Sequence, residues 1–222
     1  LRYGADVRIN APVHELIVEG DTVTGVRVNV DGDLTDVKAK NVILATGGFE
    51  TSDELTGEHL GAPFGEKVSP KGHNGIAVQL AEQVGADLTG MGDAWYMPGV
   101  QLPGETLEGE NFARILLGER SLPHSIVVNM KGRRFANEAL PYDQFGRIMH
   151  ETDEATGEQP NSPAWFVFDQ TYWEKFGVFG TPPGGEVPSY IVQANSISEL
   201  AEKTGMDKAG LLETIDTFNG HA

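Results

Sequence analysis

Asp31-Gly32 stands between two strand-like runs, and no other pair constrains the start of the chain as tightly. Glycine accepts the positive φ of a type I′ turn without steric cost, so Asp-Gly in this setting predicts a β-hairpin. Val23, Val26, Val28 and Val30 mark the strand before it, and Leu34 to Ala39 the strand after it. Val13 to Val18 is a further strand, joined through Glu19-Gly20-Asp21, and residues 5–9 (Ala-Asp-Val-Arg-Ile) read as a short first strand. Asn41-Val42-Ile43-Leu44-Ala45 is a continuous apolar run, as in a strand buried on both faces. It ends in Thr46-Gly47-Gly48.

Beyond residue 50 helix signals enter. Thr51-Ser52-Asp53-Glu54 has the capping-box pattern that opens a short helix. Residues 57–72, rich in Gly and Pro, read as irregular. Asn74-Gly75 opens a helix over 76–84, with Gly85 as its stop. Residues 90–122 are mixed. Ser125 to Asn129 is a strand, turned back by Lys131-Gly132 into Arg133–Ala136. Residues 150–163 are polar and loop-like, 164–168 a strand, and 180–189 a Pro/Gly loop. Ser196 with Glu199 opens a helix over 197–203, and Asp207 caps a last helix that runs through Phe218 to Gly220. No internal repeat is visible. The alternation predicts an α+β fold.

Composition removes several function classes. With 16 Lys and Arg against 33 Asp and Glu, the formal charge is −17, which repels phosphate backbones and argues against a nucleic-acid partner. The chain has no cysteine, so a disulfide framework, a thiolate metal site and a cysteine nucleophile are excluded. His73 and His124 lack metal-ligand spacing and read as structural or surface residues; no metal is expected. No apolar run approaches the roughly 18 residues of a membrane span, so no transmembrane segment is expected. A cytoplasmic location fits the missing cysteines and the absence of a signal-peptide pattern. There is no Gly-x-Gly-x-x-Gly, Walker loop, His-Glu-x-x-His or Gly-x-Ser-x-Gly.

The run Asn41 to Phe49, with its Thr46-Gly47-Gly48 corner, resembles the strand-plus-Gly-Gly segment of two-domain flavoproteins of the fumarate reductase and 3-ketosteroid dehydrogenase superfamily. Glycines there let the backbone approach a nucleotide closely. Further segments resemble the family in order. They are Asn10 to Leu16, with Val13 at the position against the FAD adenine; Gly72 to Ile76 followed by Gly85-Ala86-Asp87; Ile126 to Asn129, then Gly132 to Phe135 and Asn137-Glu138; and Leu200-Ala201, Gly205-Met206 and Thr217-Phe218-Asn219. The family often has Gly-Asp-Gly where this chain reads His73-Asn74-Gly75. The resemblance implies FAD as cofactor, with Val13, Ala45, Thr46, Gly47 and Gly48 at the cofactor. It also implies part of an FAD-binding domain over 1–50 and a capping, substrate domain over 51–222. The family's dinucleotide fingerprint lies upstream of these segments and a second block of flavin contacts downstream, so a piece cut at both ends is expected.

Two positions choose between branches. Fumarate reductases place a proton-donating arginine where this chain has Tyr142, and a substrate-binding histidine where it has Met97. Without that cation and imidazole, a dicarboxylate loses its holders. Asn137-Glu138 followed by Leu140-Pro141-Tyr142 resembles the 3-ketosteroid Δ1-dehydrogenases, in which the tyrosine is a proposed proton acceptor. A tyrosine, with an ordinary pKa of about 10, needs hydrogen bonds or positive charge to act as a base near neutral pH. Arg133, Arg134, Asn137 and Glu138 also read as a turn network in which Glu138 pairs with an arginine and Asn137 caps backbone. Trp95, Tyr96, Phe112, Trp165 and Tyr172 line an apolar pocket or pack the core.

The expected function is that of a flavoprotein dehydrogenase moving a hydride between FAD and a small apolar ketone such as a 3-ketosteroid, with Tyr142 as proton acceptor and an unidentified electron acceptor. The alternatives are a fumarate-reductase-like enoate reductase, or a piece that binds no cofactor alone. Strands within residues 1–46 are expected either to pair in a homodimer or to pack on the capping domain.

Overall fold

A computed structural model describes residues 4–64 and 67–221. They fall into two compact units, residues 4–64 with 69–93, and residues 67–68 with 94–221.

In the first unit β1 (Val13–Glu19), β2 (Thr22–Val30) and β3 (Asp33–Lys38) form an antiparallel sheet in that order. The turn between β2 and β3 follows its sequence: Asp31 and Gly32 take φ of 53° and 96°, as type I′ requires. Arg27 on central β2 meets its registered partners on both sides, Glu15 at 2.8 Å and Asp36 at 2.6 Å. A Cβ at Gly25 would collide with the Val37 carbonyl, so glycine is what lets β3 close on β2. β3 is exposed along its length, and Asp33, Asp36 and Lys38 suit a solvent-facing edge.

Two expected strands are absent. Residues 5–9 and 41–45 take no strand structure, and Ile9 and Ile43 are 83% and 87% exposed. A strand forms only where a neighbour takes up its backbone N–H and C=O groups, and no described strand pairs with either run. Apolar content supplied a reason for burial there but no ladder.

Two helices complete this unit. α1 (Asp53–Leu60) begins one residue later than its capping pattern predicts: Ser52, not Thr51, is the N-cap, and its hydroxyl accepts from the Leu55 N–H at 3.2 Å. α1 also runs into the stretch expected to be irregular and stops at left-handed Gly61. α2 (Ile76–Gln83) lies against β1. Its end is a Schellman motif, with Gly85 N–H donating to Glu82 C=O and Ala86 N–H to Ala81 C=O, both at 3.0 Å.

The second unit opens with a hairpin that the sequence reading missed, β4 (Gly99–Leu107) with β5 (Glu110–Ile115). Its turn is Glu108-Gly109, both at positive φ. β6 (Ser125–Asn129) is buried throughout, and its ladder partner is β7 (Ala164–Phe168). The return segment Arg133–Ala136 contributes only a single bridge, Val128 to Arg134. Four helices follow the chain, α3 (Tyr142–His150), α4 (Gln170–Phe176), α5 (Ile197–Thr204) and α6 (Lys208–Asn219). The sequence reading foresaw the last two and missed α3 and α4.

Strand alternation organises this core. Ile126, Val128, Trp165 and Val167 pack with Ala201, Met206 and Leu211 of the α5–α6 region. Phe166 and Phe168 pack with Tyr172, Trp173 and Val178 around α4. The described residues are thus mixed α and β, with small antiparallel sheets. None of their helices is long and apolar enough to cross a membrane.

Candidate functional site

In the first unit, the glycine corner is built by contacts between residues 46–51 and 69–75. Gly48 C=O accepts from Gly75 N–H at 3.1 Å, and Thr51 N–H donates to His73 C=O at 3.1 Å. Gly47 takes φ of 79°, and a Cβ on it would lie 2.5 Å from the His73 ring. Both facts demand glycine. The ring is held from its other edge. His73 Nδ1 lies 2.6 Å from Glu50 Oε1, the same oxygen that accepts from Ser69 Oγ at 2.6 Å. Burial pushes the Glu50 carboxyl up, but the Ser69 and His73 hydrogen bonds outweigh it and hold it below its ordinary value. His73 is therefore structural, as its lone position in the sequence implied.

Thr46 Oγ1 is buried without a hydrogen-bond partner among the described residues. A buried hydroxyl left unpaired is destabilising by about 1–3 kcal/mol. Beside two residues that lack side chains, it fits the polar part of a nucleotide cofactor. Ala45 is exposed next to it. Val13 opens β1, half-buried and paired with Val28.

In the second unit, Tyr142 is the first residue of α3, behind Pro141 at φ −48°. Its ring centroid is 6.2 Å from that of Trp95, and its hydroxyl makes no hydrogen bond among the described residues. Segment 94–98 is fastened to α3 at several points. Tyr96 N–H donates to Asp143 Oδ1 at 2.9 Å, Arg147 donates to Ala94 C=O at 3.2 Å, and the Arg147 guanidinium lies over the Tyr96 ring. Gly146 permits this approach, since a Cβ there would sit 2.9 Å from Met97 N. Met97 and Tyr142, which the sequence analysis weighed together, thus lie on two elements in direct contact.

The Arg133–Glu138 segment forms a structural network. Glu138 is buried, receives Arg134 at 2.6 Å and accepts from Val127 N–H at 2.9 Å. The Glu138 hydrogen bonds raise the Arg134 guanidinium above its ordinary value. Asn137 Oδ1 accepts from Ala139 N–H, and Arg133 pairs with Glu213. Buried Arg120, which the sequence reading missed, donates to the backbone carbonyls of Leu116, Glu138 and Leu140. Nothing in Gly-Glu-Arg-Ser marks it beforehand. Of the five aromatics singled out in the sequence, Tyr96 and Tyr172 are core, Trp165 packs against the core, Phe112 is half-buried, and only Trp95 is freely exposed. No group of three or more metal-ligating side chains occurs among the described residues.

The sequence model of the FAD binding domain family matches residues 1–222. The chain belongs to that family. Among its relatives, a 4-oxocyclohexanecarboxylate 2-dehydrogenase of Sinomonas cyclohexanicum is 34% identical over 228 residues, covering 100% of this chain and 39% of the relative. A 3-oxosteroid 1-dehydrogenase of Mycobacterium tuberculosis is 36% identical over 237 residues, covering 100% of this chain and 41% of the relative. The crystal structure of 3-ketosteroid delta1-dehydrogenase from Sterolibacterium denitrificans in complex with 1,4-androstadiene-3,17-dione superposes with a TM-score of 0.84 at 31% identity. That match covers 94% of this chain and 38% of the other. The chain thus spans about two fifths of the length of these members of the FAD binding domain family.

Proposed function

We propose that the intact protein carrying this chain is an FAD-dependent dehydrogenase that introduces a double bond beside the carbonyl of an apolar ring ketone, with Tyr142 as the proton acceptor. The observation that carries this reading is the position of Tyr142. It heads α3 beside an exposed indole, where an arginine would favour a dicarboxylate. The relatives named for 4-oxocyclohexanecarboxylate and for 3-oxosteroids support a ketone carried on a ring, and the second of them an apolar one.

In this reading Val13, Ala45, Thr46, Gly47 and Gly48 hold part of the cofactor. Residues 1–50 belong to an FAD-binding domain and 51–222 to a capping, substrate domain. When bound, FAD supplies the acceptor for the hydride that leaves the carbon β to the carbonyl. Tyr142, in its phenolate form, would take the proton from the α carbon onto its oxygen, so the two C–H bonds break to give one proton and one hydride. The Thr46 hydroxyl would meet the cofactor's polar part, and Gly47 and Gly48 let the His73 ring and the Glu50 carboxylate pack against the corner that carries it.

The test is an assay of the intact protein, with bound flavin verified by visible absorbance, against a 3-ketosteroid, 4-oxocyclohexanecarboxylate and fumarate with artificial electron carriers. Turnover of a ring ketone supports the reading. Fumarate reduction with no ring-ketone turnover would replace it by the enoate-reductase alternative.

A further inference from the structure

Trp95 is a large apolar side chain at 77% exposure, although Tyr96 and Pro98, which follow it in the same segment, are buried. Indole rings are highly buried on average, because exposing them forgoes much of the hydrophobic gain of folding. The segment around it is rigidly fastened: Tyr96 N–H is bound to Asp143, Ala94 C=O to Arg147, and Gly146 admits the backbone at van der Waals distance. The exposure of Trp95 therefore belongs to a fixed backbone and not to a frayed end. Its ring lies 6.2 Å from that of Tyr142, at an interplanar angle of 37°. The two rings together make an aromatic corner, one of whose rings carries the Tyr142 hydroxyl.

We infer that Trp95 is a substrate-binding, specificity-determining residue. Its indole face is the platform on which a flat ring ketone lies, so that the carbon α to the carbonyl is presented to Tyr142. The inference rests on the function proposed above and adds what selects the substrate. A planar fused-ring skeleton gains from stacking in proportion to the area it lays on the indole. A small single ring gains little. Trp95 is thus a filter for ring number, acting in binding and not in proton transfer. Because the side chain is exposed, its replacement leaves the core intact.

The experiment uses the intact, flavin-loaded protein and its Trp95→Leu and Trp95→Phe variants, with a 3-ketosteroid and with 4-oxocyclohexanecarboxylate. Steady-state kinetics are paired with quenching of tryptophan fluorescence by the steroid. Trp95→Leu is expected to raise KM for the steroid about tenfold, with kcat within about twofold. KM for the single-ring ketone should move by less than about threefold on the same grounds. Trp95→Phe should restore most of the steroid KM, and steroid quenching should fall in Trp95→Leu. An unchanged steroid KM in Trp95→Leu would overturn the inference and leave Trp95 as a contact for other protein surface. A fall in kcat at constant KM would overturn it too, since that places the indole in the chemical step. If the wild-type protein holds flavin yet neither binds nor turns over any ring ketone, the functional reading itself has failed, and the inference with it.

Discussion

Glu138 does with one side chain what a neighbouring strand would otherwise do. Its carboxylate accepts the Val127 N–H on the side of β6 away from β7, and Arg134 neutralises it. The Arg134 side chain is 35% exposed, so water screens the charge left when Glu138 is removed. Glu138→Ala, which also leaves the buried Val127 N–H without its acceptor, should lower unfolding stability by about 1–3 kcal/mol. Glu138→Gln, which keeps an acceptor for Val127, should lose less; equal losses in chemical denaturation would show that the acceptor role is unimportant. Tyr172 provides a second residue-scale test. It is fully buried, its hydroxyl donates to Glu119 C=O, and burial followed by the Glu119 charge pushes it up to about 12. A phenol whose pKa is raised in the fold stabilises it below the unfolded value, near 10, and loses that contribution as pH rises through the folded value. Alkaline titration should thus remove stability between about pH 10 and 12, on the order of 2 kcal/mol. Tyr172→Phe should flatten that slope, and an unchanged slope would rule Tyr172 out as its origin. Glu50 works on the acid side: its carboxyl is held down, so its contribution is present above the ordinary carboxylate range and fades as pH falls. At this scale the sequence spoke clearly where chemistry is local, as at Asp31-Gly32 or Ser196 with Glu199. It was silent on Arg120 and on the Glu50–Ser69–His73 cluster, whose members meet only through the fold.

Elements were legible where their signals are carried by caps and alternation. α5 and α6 start where Ser196 and Asp207 accept from Glu199 and Gly210 N–H. The Glu199 carboxylate reaches back to Asn195 N–H, one residue before the position that the capping box predicts. Replacing such a cap by alanine typically destabilises by about 1 kcal/mol. Asp207→Ala should do so here and should fray the start of α6 in amide exchange; full protection there would count against the cap. α3 was hidden because Pro141 ends an Asn-Glu-Ala-Leu turn, and because its one glycine, Gly146, reads as a breaker although its purpose is close packing on Met97. The β4–β5 hairpin was hidden because Glu108 is an uncommon residue at positive φ. The missing strand over 41–45 erred the other way. Its apolar sequence is real, but strand structure is a property of pairs, and the sequence of one member cannot reveal whether its partner is there.

For the whole molecule, the family was legible because short segments kept their order along the chain, and the family match over residues 1–222 agrees. The chain contains the glycine corner but no Gly-x-Gly-x-x-Gly, whose backbone donors and helix N-terminus bind pyrophosphate. Residues 1–222 alone are therefore expected not to bind FAD tightly; stoichiometric quenching of flavin fluorescence by this chain would refute that. The exposed edge at β3 carries Asp33, Asp36 and Lys38, and a size measurement on the same chain would reveal any homodimer through it. The role of Tyr142 as proton acceptor is open to measurement in the intact Tyr142→Phe variant, as turnover of a ring ketone compared at equal flavin content. A proton acceptor at this position requires kcat to fall at least about a hundredfold, the scale of a lost general base, with substrate binding retained. Turnover at the wild-type rate would contradict it.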